Sequence, residues 1–228
     1  GTNLTTILKA KKNKVEIENQ KNAYIKDGLA LTKFFHWLEN SLGKMEVSEL
    51  LCEEKILDFR QEQEGFIEPS FSTISAYGPN AAMAHYSASE DSYSMLESKG
   101  LYLIDSGGQY YDGTTDITRT IACGQLSEEE IRDYTLTLKA HINLINARFL
   151  YGATGYNLDV LCRYPLWQEG LDFKHGTGHG VGYLLNVHEG PHRIANHPSD
   201  VILEEGMVVS IEPGMYREGK HGIRIENI

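Results

Sequence analysis

Cysteine is scarce in this chain. Only Cys52, Cys123 and Cys162 occur among 228 residues, far apart and odd in number. That spacing argues against a disulfide framework and fits a reducing compartment, so a cytoplasmic location is expected. No CxxC pair occurs. No apolar run reaches the ~18 residues that a membrane span needs. Positive charge is also short: 21 Lys and Arg face 32 Asp and Glu, a formal charge of −11. That sign argues against nucleic acid or a membrane as a partner, because phosphates and anionic lipids would be repelled. It leaves solubility, or the binding of cations, as uses for the carboxylates. Repeats, low-complexity tracts and Pro/Ser-rich linkers are missing as well. The start, Gly1-Thr2-Asn3-Leu4, has neither an initiator methionine nor the shape of a signal peptide. Residues 1–228 are therefore read as a single domain, and as a piece of a longer protein.

What is present is ordinary for a globular domain, with 41% hydrophobic and 23% charged residues. Lys9 to Lys14 is basic and polar and is placed at the surface. From Val15 to Leu42 apolar residues recur at helical steps (Ile17, Tyr24, Leu31, Phe35, Leu38), and Gly43 is a stop. Ser48 to Gln63 reads as a second helix. Phe71–Tyr77 and Leu101–Asp105 read as strands. Tyr110-Tyr111, Asp112-Gly113 and Thr114–Ile121 read as a hairpin turning at Asp-Gly. Ser127 and Glu130 form a capping box that opens a helix running to about Leu150, with Ile131, Tyr134, Leu138, Ile142 and Ile145 on one face. Asn157–Gln168 reads as a further helix. Val208–Ile211 and Ile223–Ile228 read as final strands. Helices interleaved with hairpins point to an α+β fold.

Several acids and histidines stand where chemistry could use them. Asp105 ends an apolar strand, and Asp116 interrupts a β-prone run where an Asp is disfavoured. A hairpin turning at Asp112-Gly113 puts Asp116 opposite Gln109, leaving Asp105 four residues, roughly 13 Å, too far along. Gly107-Gly108 can bend the strand and close that gap. Asp112 itself reads as a turn residue. Five of the nine histidines fall between 175 and 197: His175, His179, His188, His192 and His197. On a helix, His175 and His179 would make a zinc pair, but Gly176, Gly178, Gly180 and Gly182 speak against a helix. Those glycines suggest backbone held close to a ligand or a neighbouring strand. Glu212 follows the apolar run Val208–Ile211, and Arg224 and Glu226 share one face of the last strand. Four carboxylates and one imidazole form a hard, oxygen-rich donor set. It suits two divalent cations such as Mn²⁺, and Zn²⁺ or Co²⁺ less selectively, and marks a candidate dinuclear hydrolase.

Six motifs occur in order: Leu103-Ile104-Asp105-Ser106-Gly107-Gly108, Asp116-Ile117-Thr118-Arg119-Thr120, His175 through Gly182, Asn186-Val187-His188-Glu189-Gly190-Pro191, Ile211-Glu212-Pro213-Gly214 and Arg224-Ile225-Glu226-Asn227. Together they resemble the pita-bread metallopeptidases, and among them the Xaa-Pro aminopeptidase (aminopeptidase P) branch. The resemblance implies a curved antiparallel sheet covered by helices. It implies an aminopeptidase that releases the N-terminal residue from peptides with proline in second position, using a hydroxide that bridges two metals. Asp105 would hold one metal, Asp116 and Glu226 would bridge the pair, and His179 and Glu212 would complete the second. Glu212 would also carry the proton. His85, in Ala84-His85-Tyr86, would contact substrate and assist proton movement. His188 would steady the tetrahedral intermediate, His175 would lie near the proline end, and Arg224 would orient a bridging carboxylate.

The resemblance further implies preceding N-terminal domains and a homodimeric complete protein. It also implies a chain that continues past Glu226, so the last strand is expected to be short of partners here. Prolidase, which shares the five ligands but cleaves dipeptides, is the enzymatic alternative. A catalytically silent peptide-binding domain is the other, though such domains have lost ligands and none is lost here. Creatinase-like metal-free hydrolysis is disfavoured for the same reason. The usual motif wording of methionine aminopeptidase is not seen.

Overall fold

The computed structural model describes residues 3–228, so Gly1 and Thr2 fall outside it. Helix α1 spans Leu4–Ala10, where the sequence patterning gave no helix. The basic stretch after it is not wholly at the surface. Lys12 is buried, with its ammonium 3.0 Å from the Glu189 carboxylate. Helix α2, Lys14–Ser41, opens on a capping box between Asn13 and Glu16, a device that contributes about 1 kcal/mol. Helix α3, Glu49–Gln61, is capped by Ser48. The two helices bury Phe34, Leu38 and Ile56 against Tyr102 and Ile104. Each such fully buried side chain stabilises the fold by about 1.5–3 kcal/mol. Phe34, Phe35 and Trp37 therefore serve a core.

Strands β1 (Phe66–Pro69), β2 (Ile74–Tyr77), β3 (Leu101–Ser106), β4 (Gly108–Tyr110), β5 (Gly113–Thr114) and β6 (Ile117–Ala122) follow. They pair antiparallel as two three-stranded sheets, in the orders β1-β4-β5 and β2-β3-β6. The hairpin lies in a different register from the one read at Asp112-Gly113. Tyr110 pairs Gly113, so Tyr111 and Asp112 form the tip. Gln109 meets Thr114 and Ser106 meets Ile117, which brings Asp116 level with Gly107. That is two residues from Asp105 instead of four, on the same side of β3. Gly107 is needed here, because a Cβ at that position would overlap the Thr115 carbonyl oxygen. On β3, Tyr102 and Ile104 face the α2–α3 core while Leu101, Leu103 and Asp105 alternate to the other face.

Helix α4, Glu128–Ile145, starts on the Ser127–Glu130 capping box and stops five residues short of Leu150. Its buried face is not the expected one. Ile131, Leu138, Ile142 and Ile145 are exposed, and the helix turns Leu136, Thr137, Ala140, His141 and Leu144 inward. Small residues such as Ala140 let α4 lie close to helix α5, Gly155–Trp167. Strands β7 (Gly178–His179) and β8 (Arg193–Ile194) form a short pair, and β9 (Gly214–Arg217) pairs with β10 (His221–Arg224). The expected strand at Val208–Ile211 is reduced to isolated bridges from Val209 to Gly180 and from Ile211 to Asn227. Leu144, Leu158, Leu166, Met215 and Ile223 make the second core.

The end of the chain is well held. Glu226 N donates to Thr118 O, Arg119 donates to Glu226 O, and Asn227 bridges Ile211 and His141. The last strand itself, β10, pairs with β9 alone. No helix among the described residues is long and apolar enough to cross a membrane.

Candidate metal centre

The structure holds a cavity of about 760 Å³. All nine residues singled out from the sequence line it: His85, Asp105, Asp116, His175, His179, His188, Glu212, Arg224 and Glu226. Asp112 does not, and salt-bridges Lys26 at the hairpin tip instead. His192 does not either. It is buried with its ring on Val208 O, so the histidine-rich stretch is not all site. Arg193 and His197 reach the cavity wall without having been singled out as ligands or catalysts.

Each donor is aimed by a different element. Asp105 comes from the end of β3, Asp116 from the link between β5 and β6, His179 from β7, Glu212 from the residues before β9, and Glu226 from the residues after β10. Gly178 lets β7 press against the Ser210 carbonyl, where a Cβ would collide. His179 Nδ1 lies 2.9 Å from Gly180 O, so it carries the proton and donates. In the neutral ring this leaves Nε2 as the lone pair a metal could use, and in the imidazolium Nε2–H lies 3.3 Å from both Asp116 Oδ2 and Glu212 Oε1. Oxygens of Asp105, Asp116 and Glu226 lie within 4.8 Å of one another, and so do donor atoms of His179, Glu212 and Glu226.

The electrostatics are those of a site short of positive charge. Burial, then the charges of Asp116, Glu212 and Asp105, holds the Glu226 carboxyl well above its usual range. Burial also raises Asp116, and pushes Glu212 up to about 7 against the lowering influence of His179. For His179, burial pulls down, but Asp116 and Glu212 outweigh it and the imidazolium is favoured. Asp105 Oδ1 and Glu226 Oε1 are buried without a hydrogen-bond partner. Their other oxygens are occupied, Asp105 Oδ2 by Arg224 Nη2 at 2.6 Å and Glu226 Oε2 by Thr118 Oγ1 at 2.7 Å. Orphaned carboxylate lone pairs beside mutually repelling acids fit divalent cations, and the hard oxygen-rich set matches their chemistry.

The cavity wall has its own order. Arg224 Nη1 donates to Tyr216 Oη at 2.9 Å, so the tyrosine's own hydrogen can go to His175 Nε2, 2.8 Å away. His175 Nδ1 then donates to Gly176 O. Burial lowers the His175 pKa to about 4, so the ring is neutral and both its nitrogens are used inside the protein. His188 is exposed and packs edge-on to His179 at 4.2 Å between ring centroids. Burial and the neighbouring His179 lower its pKa. Tyr216, Thr118 and Tyr24, which meets the Asp116 backbone, escaped the sequence reading. Thr118 could have been found, since it sits two residues from Asp116 on an alternating strand.

The family model for metallopeptidase family M24 matches residues 18–228. The chain belongs to this family. Among curated relatives, a protein of Paracoccidioides brasiliensis named probable Xaa-Pro aminopeptidase P is 50% identical over 224 residues, covering 96% of this chain and 36% of that one. The solved X-prolyl aminopeptidase of Caenorhabditis elegans, described as a cytosolic enzyme with a di-nuclear active site, superposes with a TM-score of 0.96. It is 44% identical, over 99% of this chain and 37% of its own. The Xaa-Pro dipeptidase of Bacillus anthracis superposes at 0.88 with 33% identity, over 99% and 60% of the two chains. The chain thus spans little more than a third of the aminopeptidase relatives. The pita-bread architecture of the M24 family is borne out in the mixed α-helices and antiparallel sheets. A pair of divalent metals accords with the M24 donor set found here.

Proposed function

We propose that this chain is the catalytic part of an Xaa-Pro aminopeptidase, removing the N-terminal residue from peptides with proline in second position. The observation that carries the reading is the convergence of four carboxylates and His179, with Asp105 Oδ1 and Glu226 Oε1 left unpaired in a buried site. The names of the similar proteins support the substrate class. Asp105, Asp116, His179, Glu212 and Glu226 would together hold the two ions. Mn²⁺ suits the hard donors best, and Zn²⁺ or Co²⁺ can occupy the same set. When bound, the ions supply Lewis acidity that acidifies water and polarises the scissile carbonyl.

The rest is work for the protein's own groups. Glu212, on the cavity lining, takes a proton from the attacking water. It returns that proton to the prolyl nitrogen, which as part of a tertiary amide cannot leave without one. His188 faces the cavity and donates to the oxygen that gains charge. His85, also on the cavity lining, contacts substrate and assists proton movement. His175 has no N–H to offer, so it presents ring edge and face to the proline end, an apolar surface for a pyrrolidine. Arg224 fixes Asp105 and, through Thr118, Glu226. Outside the site, the complete protein is read as a cytosolic homodimer.

Release of the first residue from an Xaa-Pro-Xaa tripeptide, measured with and without Mn²⁺, tests the proposal. Stimulated cleavage of the tripeptide is expected. Xaa-Pro dipeptides cleaved far faster than tripeptides would replace the reading with a prolidase. Silence with every divalent metal would remove it.

A further inference from the structure

The segment from Tyr77 to Ser94 walls one side of the cavity, with Ala84, His85, Tyr86 and Ser87 on its lining. After a short 3-10 turn at Gly78–Ala82 it continues as bends and turns. The His85 ring is exposed in the cavity, so its position depends on the backbone beneath it.

That backbone is tied to a single buried carboxylate. Glu49, the first residue of α3, is 0% exposed. Its Oε1 accepts from Tyr77 N at 2.6 Å and from Asn80 Nδ2 at 3.0 Å. Its Oε2 accepts from Ser94 N at 2.7 Å and from Tyr86 Oη at 2.8 Å. The Glu49 backbone joins in, with its N–H on Ser94 O and its carbonyl accepting from Ser75 Oγ. One carboxylate therefore grips both ends of the segment and the residue next to His85. Its charge is met by directed donors on that segment and, among the described residues, by no salt bridge. Glutamine would turn one acceptor oxygen into a donor facing other donors, and the grip would be lost.

We propose that Glu49 is a positioning residue for His85, setting through Tyr86 and the segment ends where that imidazole meets the substrate. The inference rests on the reading that His85 contacts substrate. It adds a residue more than 30 positions upstream that touches neither substrate nor metal.

The test uses the full-length protein with Mn²⁺ and an Xaa-Pro-Xaa peptide. Glu49→Gln is compared with Tyr86→Phe, a milder variant that removes only the tether beside His85 should the first fail to fold. Each is made alone and combined with His85→Ala. Histidine-labelled NMR on the protein loaded with diamagnetic Zn²⁺ in place of Mn²⁺ follows the His85 ring, whose signals are identified by their loss in His85→Ala. Both tether variants are expected to move or broaden the His85 signals and to lower kcat about 10-fold, with metal affinity unchanged. A 1 Å misplacement of a reacting group can cost ~100-fold, so the size is reasonable. In the His85→Ala background the tether variants should change kcat less than about twofold. His85 signals that stay put in both variants, or equal kcat losses with and without His85, overturn the inference about Glu49. Unchanged kcat in His85→Ala alone overturns the reading of His85 and the inference resting on it.

Discussion

Asp27, Asp133 and Asp159 are as deeply buried as Asp116 and Glu226, yet each of the first three meets a guanidinium. Asp133 is gripped by Arg217 through Nε at 2.7 Å and Nη2 at 3.0 Å, and by His221 at 3.1 Å. Asp27 pairs with Arg60 and Tyr110, and Asp159 with Arg163 and Thr177. In the cavity, four carboxylates share one guanidinium and one imidazole. The contrast separates two uses of buried charge. A paired acid with a donor on each of its oxygens joins elements together. A group of acids with spare lone pairs, three of them (Asp116, Glu212 and Glu226) with raised pKa values, is held ready for cations.

Asp133→Ala should give the largest effect, a loss of about 3–5 kcal/mol in denaturant unfolding, because Arg217 and His221 would be left without their counter-charge. Metal affinity should stay within about twofold of wild type, and a large change there would break the contrast. Glu226→Gln should act in reverse. Divalent-metal affinity should fall by more than ~100-fold, beyond the loss expected for an outer-shell partner. The chelator-stripped variant should nevertheless melt above the stripped wild type, since a repelling carboxylate is gone. A lower melting point would show Glu226 to be a structural acid like Asp133.

His188→Ala comes next. Turnover should drop about 100-fold with metal content intact, the scale of losing one oxyanion donor. Unchanged turnover would remove His188 from the mechanism. Metal binding should also release protons. Glu212 titrates at about 7 in the metal-free protein, with Asp116 and Glu226 raised too, and ligation requires their ionised forms. At pH 6, calorimetry in two buffers of different ionisation enthalpy should find about one proton or more released per protein. Apparent affinity should rise from pH 6 to 8, and a flat profile would mean the acids are already ionised.

Glu53 gives the smallest effect. It is an unpaired acid outside the cavity, pushed from an ordinary 4.5 up to about 7 by burial and by the charge of Glu49. The fold disfavours its ionised form, so the penalty is absent below pH 4.5, grows toward pH 7 and is constant above. Glu53→Gln should stabilise the protein at pH 8 by about 1 kcal/mol, a gain limited by solvent screening at this half-exposed position, and should do nothing at pH 4. An equal gain at both pH values would mean packing, not charge, is responsible.

Asp105, Asp116, His175, His179 and Glu212 were legible because each lies in a short motif whose local chemistry is unusual: an Asp in or closing a strand, a glycine-spaced histidine pair, a Glu closing an apolar run; His85 was marked only by the family resemblance. What joins those motifs was not. The Asp105–Asp116 spacing depended on a turn one residue earlier than Asp112-Gly113 suggests, and turn preference alone does not fix register. On α4, Ile131, Leu138, Ile142 and Ile145 look like a core stripe, yet close packing on α5 selects the face with Ala140 and Thr137. Hydrophobicity does not report how near two helices can come. Glu49 is indistinguishable in sequence from Glu53 and Glu54, because its partners lie 28 to 45 residues away.

The pairing of β3 with β6 also limits how the hairpin can change in length. Removing one residue between Ser106 and Ile117 would not merely trim the tip. Side chains alternate along a strand, so Asp116 would swing to the opposite face, away from Asp105. Removing two would restore the face but slide the carboxylate along the strand by roughly 7 Å. The tip can therefore exchange its exposed residues, Tyr111 among them, far more freely than it can gain or lose any. In that hairpin the count of residues works as a ruler between the two aspartates.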